Sequence, residues 1–332
     1  MTGAEVAAAA FDVGAVASVE RHPTGHINDA YLVTTDRGRY LLQRLNPSVF
    51  KYPDALMANV VAVTAHLRDK GEPTLTLVPT HTGDMNWRDD IGVVWRTYDY
   101  VDGAHPLDVH TPDDAVIVGR AFGRFHRAVA DLDPATLGVS IPCFHDPGRR
   151  ADQLAHAIET DREDRLRNAA AVVDAIWQLR PEVQETALDD LPIRVAHNDA
   201  KAANLLVDDI GSRDPLVVDL DTVMAGSPLW DVGDMIRSST GTADEAARTA
   251  RFDVDRYRAL IDGWKQEVNG LLTPEELNAV PRAGLVATFE QAMRFLTDHL
   301  LGDVYFRVSR PDQNLERAEN QVTLLRSMVS AL

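Results

Sequence analysis

A polar segment set between two apolar runs constrains this chain more than any other feature of its sequence. Residues 194–208 read RVAHNDAKAANLLVD, so His, Asp, Lys and Asn interrupt residues that favour buried strands. A second apolar run, VVDLD at 217–221, contains two aspartates. We expect strands at 195–198 and 216–220 to end near the same edge of a hairpin, which would bring these polar groups together.

The spacing of these polar residues is typical of phosphoryl transfer. His197, Asp199 and Asn204 follow the pattern H-x-D-x-x-x-x-N, and Asp219 comes at the end of the next strand. Phosphoryl transfer needs one carboxylate to accept the proton of the attacking hydroxyl, and an amide oxygen with a second carboxylate to hold Mg²⁺. Any one of these residues alone would indicate a turn or a cap. The complete set favours a phosphotransfer site.

The order of predicted elements indicates an α+β chain with two lobes. Strands are predicted at 14–20, 29–35, 39–46, 74–80 and 92–101, with one helix at 54–70. After 101–103 the pattern becomes helical, beginning with the capping sequence TPDD at 111–114. Further helices are predicted at 149–168, 169–180, 253–269, 274–280, 284–301 and 312–331. We therefore expect a small antiparallel β-rich lobe at 1–100, a hinge at about 98–103, and a larger, mainly helical lobe at 104–332.

Composition excludes several classes of function. The formal net charge of −18 argues against a nucleic-acid partner, because neutralising phosphates needs a basic surface. No apolar run approaches the roughly eighteen residues of a membrane span. The first twenty residues hold no Lys or Arg, so a secretory signal is not indicated, and Cys143 is the one cysteine. We expect a cytoplasmic protein that is a monomer or a homodimer.

The sequence resembles the aminoglycoside phosphotransferase/choline kinase superfamily, which has a protein-kinase-like fold. Within that superfamily it is most similar to the bacterial N-acetylhexosamine 1-kinases. The resemblance covers nearly the whole chain. The segments that carry it are GHINDAYLVTT (25–35), RYLLQRLN (39–46), HNDAKAANLLVD (197–208), VVDLDTVMAGSPLWDVGDMIR (217–237) and MRFLTDHLLGDVYF (293–306).

The resemblance implies a role for each polar residue of the central segment. Asp199 would be the catalytic base and contact the acceptor, and Lys201 would reach the γ-phosphate of ATP. Asn204 and Asp219 would bind Mg²⁺, with Asp221 as a further residue of the metal site. His197 and Asp234 are expected to brace the loop.

The expected nucleotide site departs from the usual kinase pattern. Neither G-x-G-x-x-G nor a P-loop motif occurs, and no Glu lies in the helix at 54–70. Gln43 occupies the strand position where kinases carry the lysine that pairs with phosphates. The hinge is expected to offer backbone groups to a purine. The resemblance implies cofactor contacts from Gly25, Ile27, Gln43, Tyr98, Tyr100 and Val101.

Two interpretations apply to the acceptor region. From the residues alone, Glu290 and Arg294 are spaced as a helix ion pair. The resemblance instead assigns Arg294 and Tyr305 to the sugar, and adds the substrate candidates His26, Asn28 and Asp303.

The resulting hypothesis is ATP- and Mg²⁺-dependent phosphorylation of a sugar hydroxyl, most specifically the anomeric 1-OH of N-acetylglucosamine or N-acetylgalactosamine. The alternatives are a kinase of another small alcohol, such as glucosamine, an aminoglycoside, choline or homoserine, and a nucleotide-binding pseudokinase.

Overall fold

The small lobe is built on a six-stranded antiparallel sheet with two helices. The structure, a computed structural model, describes residues 2–23, 27–184, 188, 191–208, 211, 214–242 and 244–332. The sheet runs in the order β1-β2-β3-β6-β4, with β5 paired to β6. Its strands are β1 (Val16–Arg21), β2 (Asp29–Thr35), β3 (Arg39–Arg44), β4 (Leu77–Val78), β5 (Trp87–Arg88) and β6 (Val94–Asp99). The helices are α1 (Gly3–Ala8), which was not predicted, and α2 (Pro53–Asp69).

The large lobe is mainly helical, with five short strands near the small lobe. These strands are β7 (Ala104–Pro106), β8 (Arg194–Ala196), β9 (Leu205–Asp208), β10 (Leu216–Val217) and β11 (Met224–Gly226). Its helices are α3 (Pro112–Ala128), α4 (Pro147–Thr160), α5 (Leu166–Gln184), α6 (Pro228–Ser239), α7 (Val254–Glu267), α8 (Pro274–Leu300) and α9 (Gln313–Val329). The α+β fold class, with an antiparallel small lobe and a helical large lobe, is confirmed. No helix in the described part of the chain has the length and apolar character needed to cross a membrane.

Strand pairing near the polar segment differs from the expected single hairpin. β10 pairs with β9, β9 also pairs with β7, and β8 pairs with β11. The polar loop therefore leaves one small sheet at β8 and enters another at β9. The segment after β10 lies next to it because β9 and β10 form a hairpin.

The helices of the large lobe also differ from prediction, most clearly at α6 and α8. The helices predicted at 274–280 and 284–301 are one helix, α8, which continues through Pro281. The prediction omitted α6, whose start is capped by Ser227. Gly233 of α6 lies so close to α8 that a Cβ atom there would be 2.4 Å from the carbonyl oxygen of Ala283. Close packing therefore requires glycine inside a helix, although glycine weakens the helical signal in the sequence.

One hydrophobic core runs through both lobes. Val60 of α2 and Tyr98 of β6 are buried in the same cluster as Phe122 of α3 and Leu205 of β9. A smaller cluster lies under α1 on the outer face of the six-stranded sheet, and includes Phe11. The base of the small lobe is thus packed against the large lobe, and residues 100–103 connect the two.

Candidate active site

The carboxylate of Asp231, on α6, fixes the backbone of the polar loop. Its fully buried carboxylate accepts hydrogen bonds from the backbone N–H groups of His197 (2.7 Å) and Asn198 (2.6 Å). Its third partner is the ring of His126, at 2.8 Å. Asn198 has a left-handed backbone with φ 63°, so these bonds hold a sharp turn immediately before Asp199. Asp234, which we expected to brace this backbone, instead forms an ion pair within α6.

The ring of His197 completes this support. Its Nε2 donates to the carbonyl oxygen of Val218 at 3.0 Å, and its Nδ1 accepts from the backbone N–H of Asp199 at 3.3 Å. Phe122 and Phe125 contact the ring edge-on. Burial lowers the pKa of His197, which keeps the imidazole neutral and suited to one donated and one accepted bond. The geometry matches the bracing role expected for His197.

Asp199, Lys201 and Asn204 form one hydrogen-bonded cluster. The Lys201 ammonium donates to Asp199 Oδ2 at 2.6 Å, and the Asn204 amide nitrogen donates to the same oxygen at 2.9 Å. Burial acts to raise the pKa of Asp199, but the charge and hydrogen bond of Lys201 outweigh it and leave that pKa below its usual value. Burial likewise acts to lower the pKa of Lys201, and the Asp199 and Asp219 charges reverse it, so this pKa is raised. The cluster therefore holds one carboxylate and one ammonium.

Asp219 lies in a strained turn directly after β10. Its backbone is left-handed, with φ 62° and ψ 54°. The side chain reaches solvent, yet the protein packed around it and the nearby charge of Asp221 raise the pKa of the Asp219 carboxyl to about 7. Among the described residues it has no hydrogen-bond or ion-pair partner. A carboxylate kept unpaired in this way has free oxygens for a cation.

The donor set suits a hard cation that shares its ligands with phosphate. The Asn204 amide nitrogen is used by Asp199, which leaves the amide oxygen as the free end of that side chain. The described ranges contain no group of three or more His, Cys, Asp or Glu side chains that could hold a metal. Mg²⁺ is commonly coordinated by one or two oxygen donors from the protein, and phosphate oxygens and water complete its coordination shell.

Asp221 is engaged by side chains of the small lobe. Arg96 of β6 pairs with its Oδ1 at 2.5 Å, and the Asn28 amide nitrogen donates to its Oδ2 at 2.8 Å. Gln43, the cross-strand neighbour of Arg96, accepts from Arg96 Nε and Nη2 through its Oε1 at 3.0 and 2.8 Å. Sequence reasoning missed Arg96. The available signal was a charged residue in the otherwise apolar run VVWRTY.

The predicted hinge residues surround the connection between the lobes. Tyr98 is buried, while Tyr100 is partly exposed with the Arg39 guanidinium 5.1 Å from its ring centroid. Val101 lines a cavity of about 260 Å³ together with Leu206 of β9. The structure thus opens an apolar space where the chain passes from one lobe to the other.

Ile27, just before β2, is another residue of the small lobe that was predicted to contact the nucleotide. It is partly buried against the core, and its carbonyl oxygen accepts a hydrogen bond from Asn46 at 3.2 Å. Gly25 and His26, predicted for nucleotide and substrate respectively, lie outside the described residues.

A narrow pocket of about 20 Å³ adjoins Asp199 on the side of α8. Its volume admits a single polar group, such as a hydroxyl, rather than a whole ring. The pocket is lined by His145, Asn198, Asp199, Asp234, Ala287, Glu290, Gln291 and Arg294.

Glu290 is the least satisfied group of this pocket. Its Oε1 contacts the His145 ring at 3.1 Å, while its Oε2 is buried with no hydrogen-bond partner among the described residues. The His145 ring stacks on Trp230 with 4.4 Å between centroids, and its Nε2 donates to the carbonyl oxygen of Asn198 at 2.9 Å. The spacing suggested that Glu290 pairs with Arg294. Its contact with His145 places it in the pocket instead.

Arg294 lies among aromatic rings at the mouth of the pocket. Its guanidinium is 5.0 Å from the Phe144 ring centroid and 5.7 Å from that of Tyr305. It donates to Gln291 Oε1 at 3.1 Å, and its Nη2 is 3.5 Å from the Tyr305 hydroxyl. Arg294 and Tyr305, both predicted from the resemblance, therefore lie together, and Arg294 shares the lining of the pocket with Asp199.

The remaining substrate candidates have other partners. Asp303 pairs with Arg165 at 2.5 Å and accepts a hydrogen bond from Asn314 at 2.9 Å, so its carboxylate is engaged outside the lining of the pocket. Asn28 donates to Asp221, and its amide oxygen accepts from the backbone N–H of Asn46 at 3.0 Å. Neither Asp303 nor Asn28 is among the residues that line the pocket next to Asp199.

A polar H-x-D-x-x-x-x-N loop between an antiparallel lobe and a helical lobe is the arrangement of kinase-like phosphotransferases. The phosphotransferase enzyme family matches residues 18–266, about three quarters of the sequence. The chain belongs to this family.

Solved structures of small-molecule kinases share its fold over nearly the whole chain. An aminoglycoside phosphotransferase from Alicyclobacillus acidocaldarius is 16% identical, with a TM-score of 0.67 over 98% of this chain and 95% of its own. An amicoumacin kinase, solved with AMP-PNP and Ca²⁺, is 13% identical, with a TM-score of 0.64 over 95% and 91%. A choline kinase from Cryptosporidium parvum is 12% identical, with a TM-score of 0.59 over 94% and 89%. At these identities the likeness establishes the fold.

Proposed function

We propose that this protein is an ATP- and Mg²⁺-dependent kinase that phosphorylates a sugar hydroxyl, most specifically the anomeric 1-OH of an N-acetylhexosamine. The observation that carries the proposal is the cluster of Asp199, Lys201 and Asn204 beside Asp219, whose carboxylate has no partner in the described part of the chain. A polar pocket containing Arg294 adjoins the same cluster. These features provide a base, a phosphate contact, a cation site and an acceptor contact within one cleft.

The purine would occupy the cavity at the hinge. Val101 and Leu206 supply apolar surface there, and a volume of about 260 Å³ suits one ring system. The backbone N–H of Val101 makes no hydrogen bond within the described residues, so it is available to a purine nitrogen. Solved relatives bind AMP-PNP and ADP, which supports an adenine nucleotide.

Asn204 and Asp219 would hold the cation through the amide oxygen and the carboxylate. Bound Mg²⁺ would neutralise charge on the nucleotide phosphates. We place Asp221 behind this site, because both of its oxygens contact the small lobe.

The transfer step follows from the positions of Asp199 and Lys201. The acceptor oxygen attacks the γ-phosphorus while the bond from that phosphorus to the β,γ-bridging oxygen breaks, and the acceptor proton passes to Asp199. ADP is the leaving group. Lys201, already held against Asp199, would contact the transferred phosphoryl group and offset its charge. The low pKa of Asp199 keeps it ionised and ready to orient the hydroxyl.

The acceptor contacts favour a neutral, hydroxyl-rich molecule. A guanidinium at the mouth of the pocket opposes an ammonium acceptor, because like charges repel. Arg294 can span two sugar oxygens, and the Tyr305 hydroxyl can donate and accept. The free Oε2 of Glu290 would accept one hydrogen bond from a hydroxyl or amide N–H of the acceptor, which would satisfy a buried group.

The experiment is ADP release with ATP and Mg²⁺ against a panel of acceptors. The panel contains both N-acetylhexosamines, glucosamine, neutral hexoses, choline, homoserine and kanamycin. We expect strongest turnover with an N-acetylhexosamine, with the phosphate on the anomeric oxygen by NMR. Turnover on another alcohol would retain Asp199, Asn204 and Asp219 but remove the proposed roles of Arg294 and Tyr305. Nucleotide binding without turnover on any acceptor would favour a pseudokinase.

A Glu290→Gln variant tests the acceptor pocket directly. The amide keeps the shape but replaces one acceptor oxygen with a donor, so we expect the acceptor KM to rise about tenfold, with the KM for ATP unchanged. Glu275→Gln, on the exposed first turn of the same helix, is the matched control. Equal acceptor KM values in the wild type and Glu290→Gln would exclude Glu290 from acceptor binding.

A further inference from the structure

The position of Gln43 raises the question of which group supplies positive charge on the small-lobe side of the phosphates. A neutral amide cannot offset phosphate charge as a lysine would. Gln43 lies opposite Arg96 on the neighbouring strand, and its Oε1 accepts hydrogen bonds from both Nε and Nη2 of the Arg96 guanidinium. The glutamine therefore orients a cation that comes from the neighbouring strand.

The Arg96 guanidinium is buried and fixed at several points. The residue is 1% exposed, its Nη2 pairs with Asp221 at 2.5 Å, and the Tyr98 ring lies 5.1 Å from its centre. Its Nη1 is also buried and has no hydrogen-bond partner within the described residues. A guanidinium held this rigidly, with one donor unused, is a preformed positive charge rather than a mobile surface group.

The ion pair links the small lobe to the segment that carries Asp219. Asp221 lies two residues after Asp219, within the short helical turn at 220–222. Arg96 and Asn28 hold the two oxygens of Asp221 from the small lobe. The strained backbone at Asp219 is therefore fixed from both lobes.

We infer that Arg96 replaces the missing lysine: it supplies the fixed small-lobe cation behind the phosphates and, through Asp221, positions Asp219 for the cation. This inference rests on the proposed nucleotide-dependent function. Arg96 is a positioning residue, because it acts on the nucleotide through Asp221 and Asp219. The adenine end of the nucleotide, at Val101 and Leu206, lies outside its contacts.

The test uses a variant in which both members of the pair become neutral. Removing one partner of a buried ion pair leaves an uncompensated charge, whereas replacing both is often tolerated. Arg96→Met combined with Asp221→Asn should therefore fold, and Arg96→Lys provides the conservative variant. Arg194→Met combined with Glu276→Gln is the matched control, because Arg194 forms an ion pair with the buried Glu276 outside the cleft residues.

Dissociation constants for ATP with Mg²⁺ and for adenosine are measured by calorimetry on each folded variant, without an acceptor. We expect the double variant to bind ATP with Mg²⁺ at least tenfold more weakly than wild type, and adenosine within twofold. The ATP affinity of Arg96→Lys should fall between those of the wild type and the double variant, since an ammonium retains the charge but not the two hydrogen bonds to Gln43. The control variant, Arg194→Met with Glu276→Gln, should bind both molecules as wild type does.

The outcomes separate this inference from the proposed function. Wild-type ATP affinity in the double variant would overturn the inference and leave the proposed function standing. Equal losses for ATP and adenosine would also overturn it, because they would indicate a general structural role. If the wild type itself binds neither molecule, the proposed function fails, and the inference fails with it.

Discussion

The polar residues of the catalytic loop each have a distinct electrostatic setting. Lys201 and Asn204 stabilise the ionised form of Asp199, whereas Asp219 has no hydrogen-bond partner among the described residues and a pKa of about 7. The pKa values of two carboxyl groups in one cleft are thus shifted in opposite directions, and a bound cation would favour the ionised form of Asp219. This difference gives each residue its own test.

Asp199→Asn should abolish turnover while preserving the fold. The amide cannot accept the acceptor proton, so kcat should fall by at least 10³-fold, within the usual range for losing a general base. ADP affinity should remain within about threefold of wild type. Steady-state kinetics and calorimetry check both values. Turnover similar to wild type in this variant would refute the proposed mechanism.

Asp219 predicts a stability difference that depends on pH. The pKa of this carboxyl is about 7 in the folded chain against an ordinary 3.8, so folding disfavours its ionised form. This effect lowers the free energy of unfolding by its full amount above pH 7, and the loss is relieved as the pH falls from about 7 towards 4. Without nucleotide or divalent cation, Asp219→Asn should therefore melt higher than wild type, by about 2 °C at pH 8.5. That advantage should disappear near pH 4.

Thermal melts across this pH range test the prediction. Asp255→Asn, at an exposed site on α7, is the control for the loss of a carboxylate outside the cleft. A constant difference for Asp219→Asn would contradict the raised pKa.

Among the helices, α8 connects the acceptor pocket to the segment that follows it. It carries Glu290 and Arg294 on the pocket, and one turn later the buried Asp298. The Asp298 carboxylate accepts hydrogen bonds from the backbone N–H groups of Val304 (3.0 Å), Tyr305 (2.8 Å) and Phe306 (2.9 Å). One residue of the helix thus sets the path of the chain that presents Tyr305.

Asp298→Asn should weaken acceptor binding without altering nucleotide binding. The amide keeps one acceptor oxygen but turns a donor towards backbone N–H groups, so the segment at 303–306 must shift. We expect the acceptor KM to rise about tenfold and ADP affinity to remain within twofold. Kinetics with the best acceptor and ADP calorimetry measure the two effects. Asp262→Asn, at an exposed position of α7, should change neither value. An unchanged acceptor KM in Asp298→Asn would contradict this role.

At the scale of the whole molecule, the two lobes share one core. Asn59 of α2 illustrates the connection, because its amide nitrogen donates to the carbonyl oxygens of Gly138 (2.7 Å) and Val223 (2.9 Å). Val60 on the same helix is fully buried in the common cluster. The base of the small lobe is therefore stabilised by the large lobe.

We expect calorimetry to show one unfolding transition for the whole chain. Because the core is continuous, the lobes should not melt separately. Asn59→Ala leaves buried carbonyl groups without donors, at a cost of about 2 kcal/mol, so it should lower the single Tm by several degrees. Two separate transitions, or a folded fragment of residues 1–103, would contradict this prediction.

The sequence predicted the fold and the centre of the site because both depend on local spacing. The distance from His197 to Asn204 is a property of one short loop, and strand and helix patterns repeat along the chain. Arg96 and Glu290 were missed because their partners, Asp221 and His145, are more than a hundred residues away in sequence. For Glu290, the local spacing to Arg294 even predicted a different partner. Long-range pairing of buried charges leaves no periodic signal in the chain.

Cys143 offers a practical route into these experiments. Its thiol is exposed, and the next two residues, Phe144 and His145, contact Arg294 and Glu290 respectively. No other cysteine occurs in the sequence. A maleimide fluorophore would therefore attach at one site at the edge of the acceptor pocket, with no prior cysteine replacement. Its emission would report acceptor binding directly, even in variants that no longer turn over.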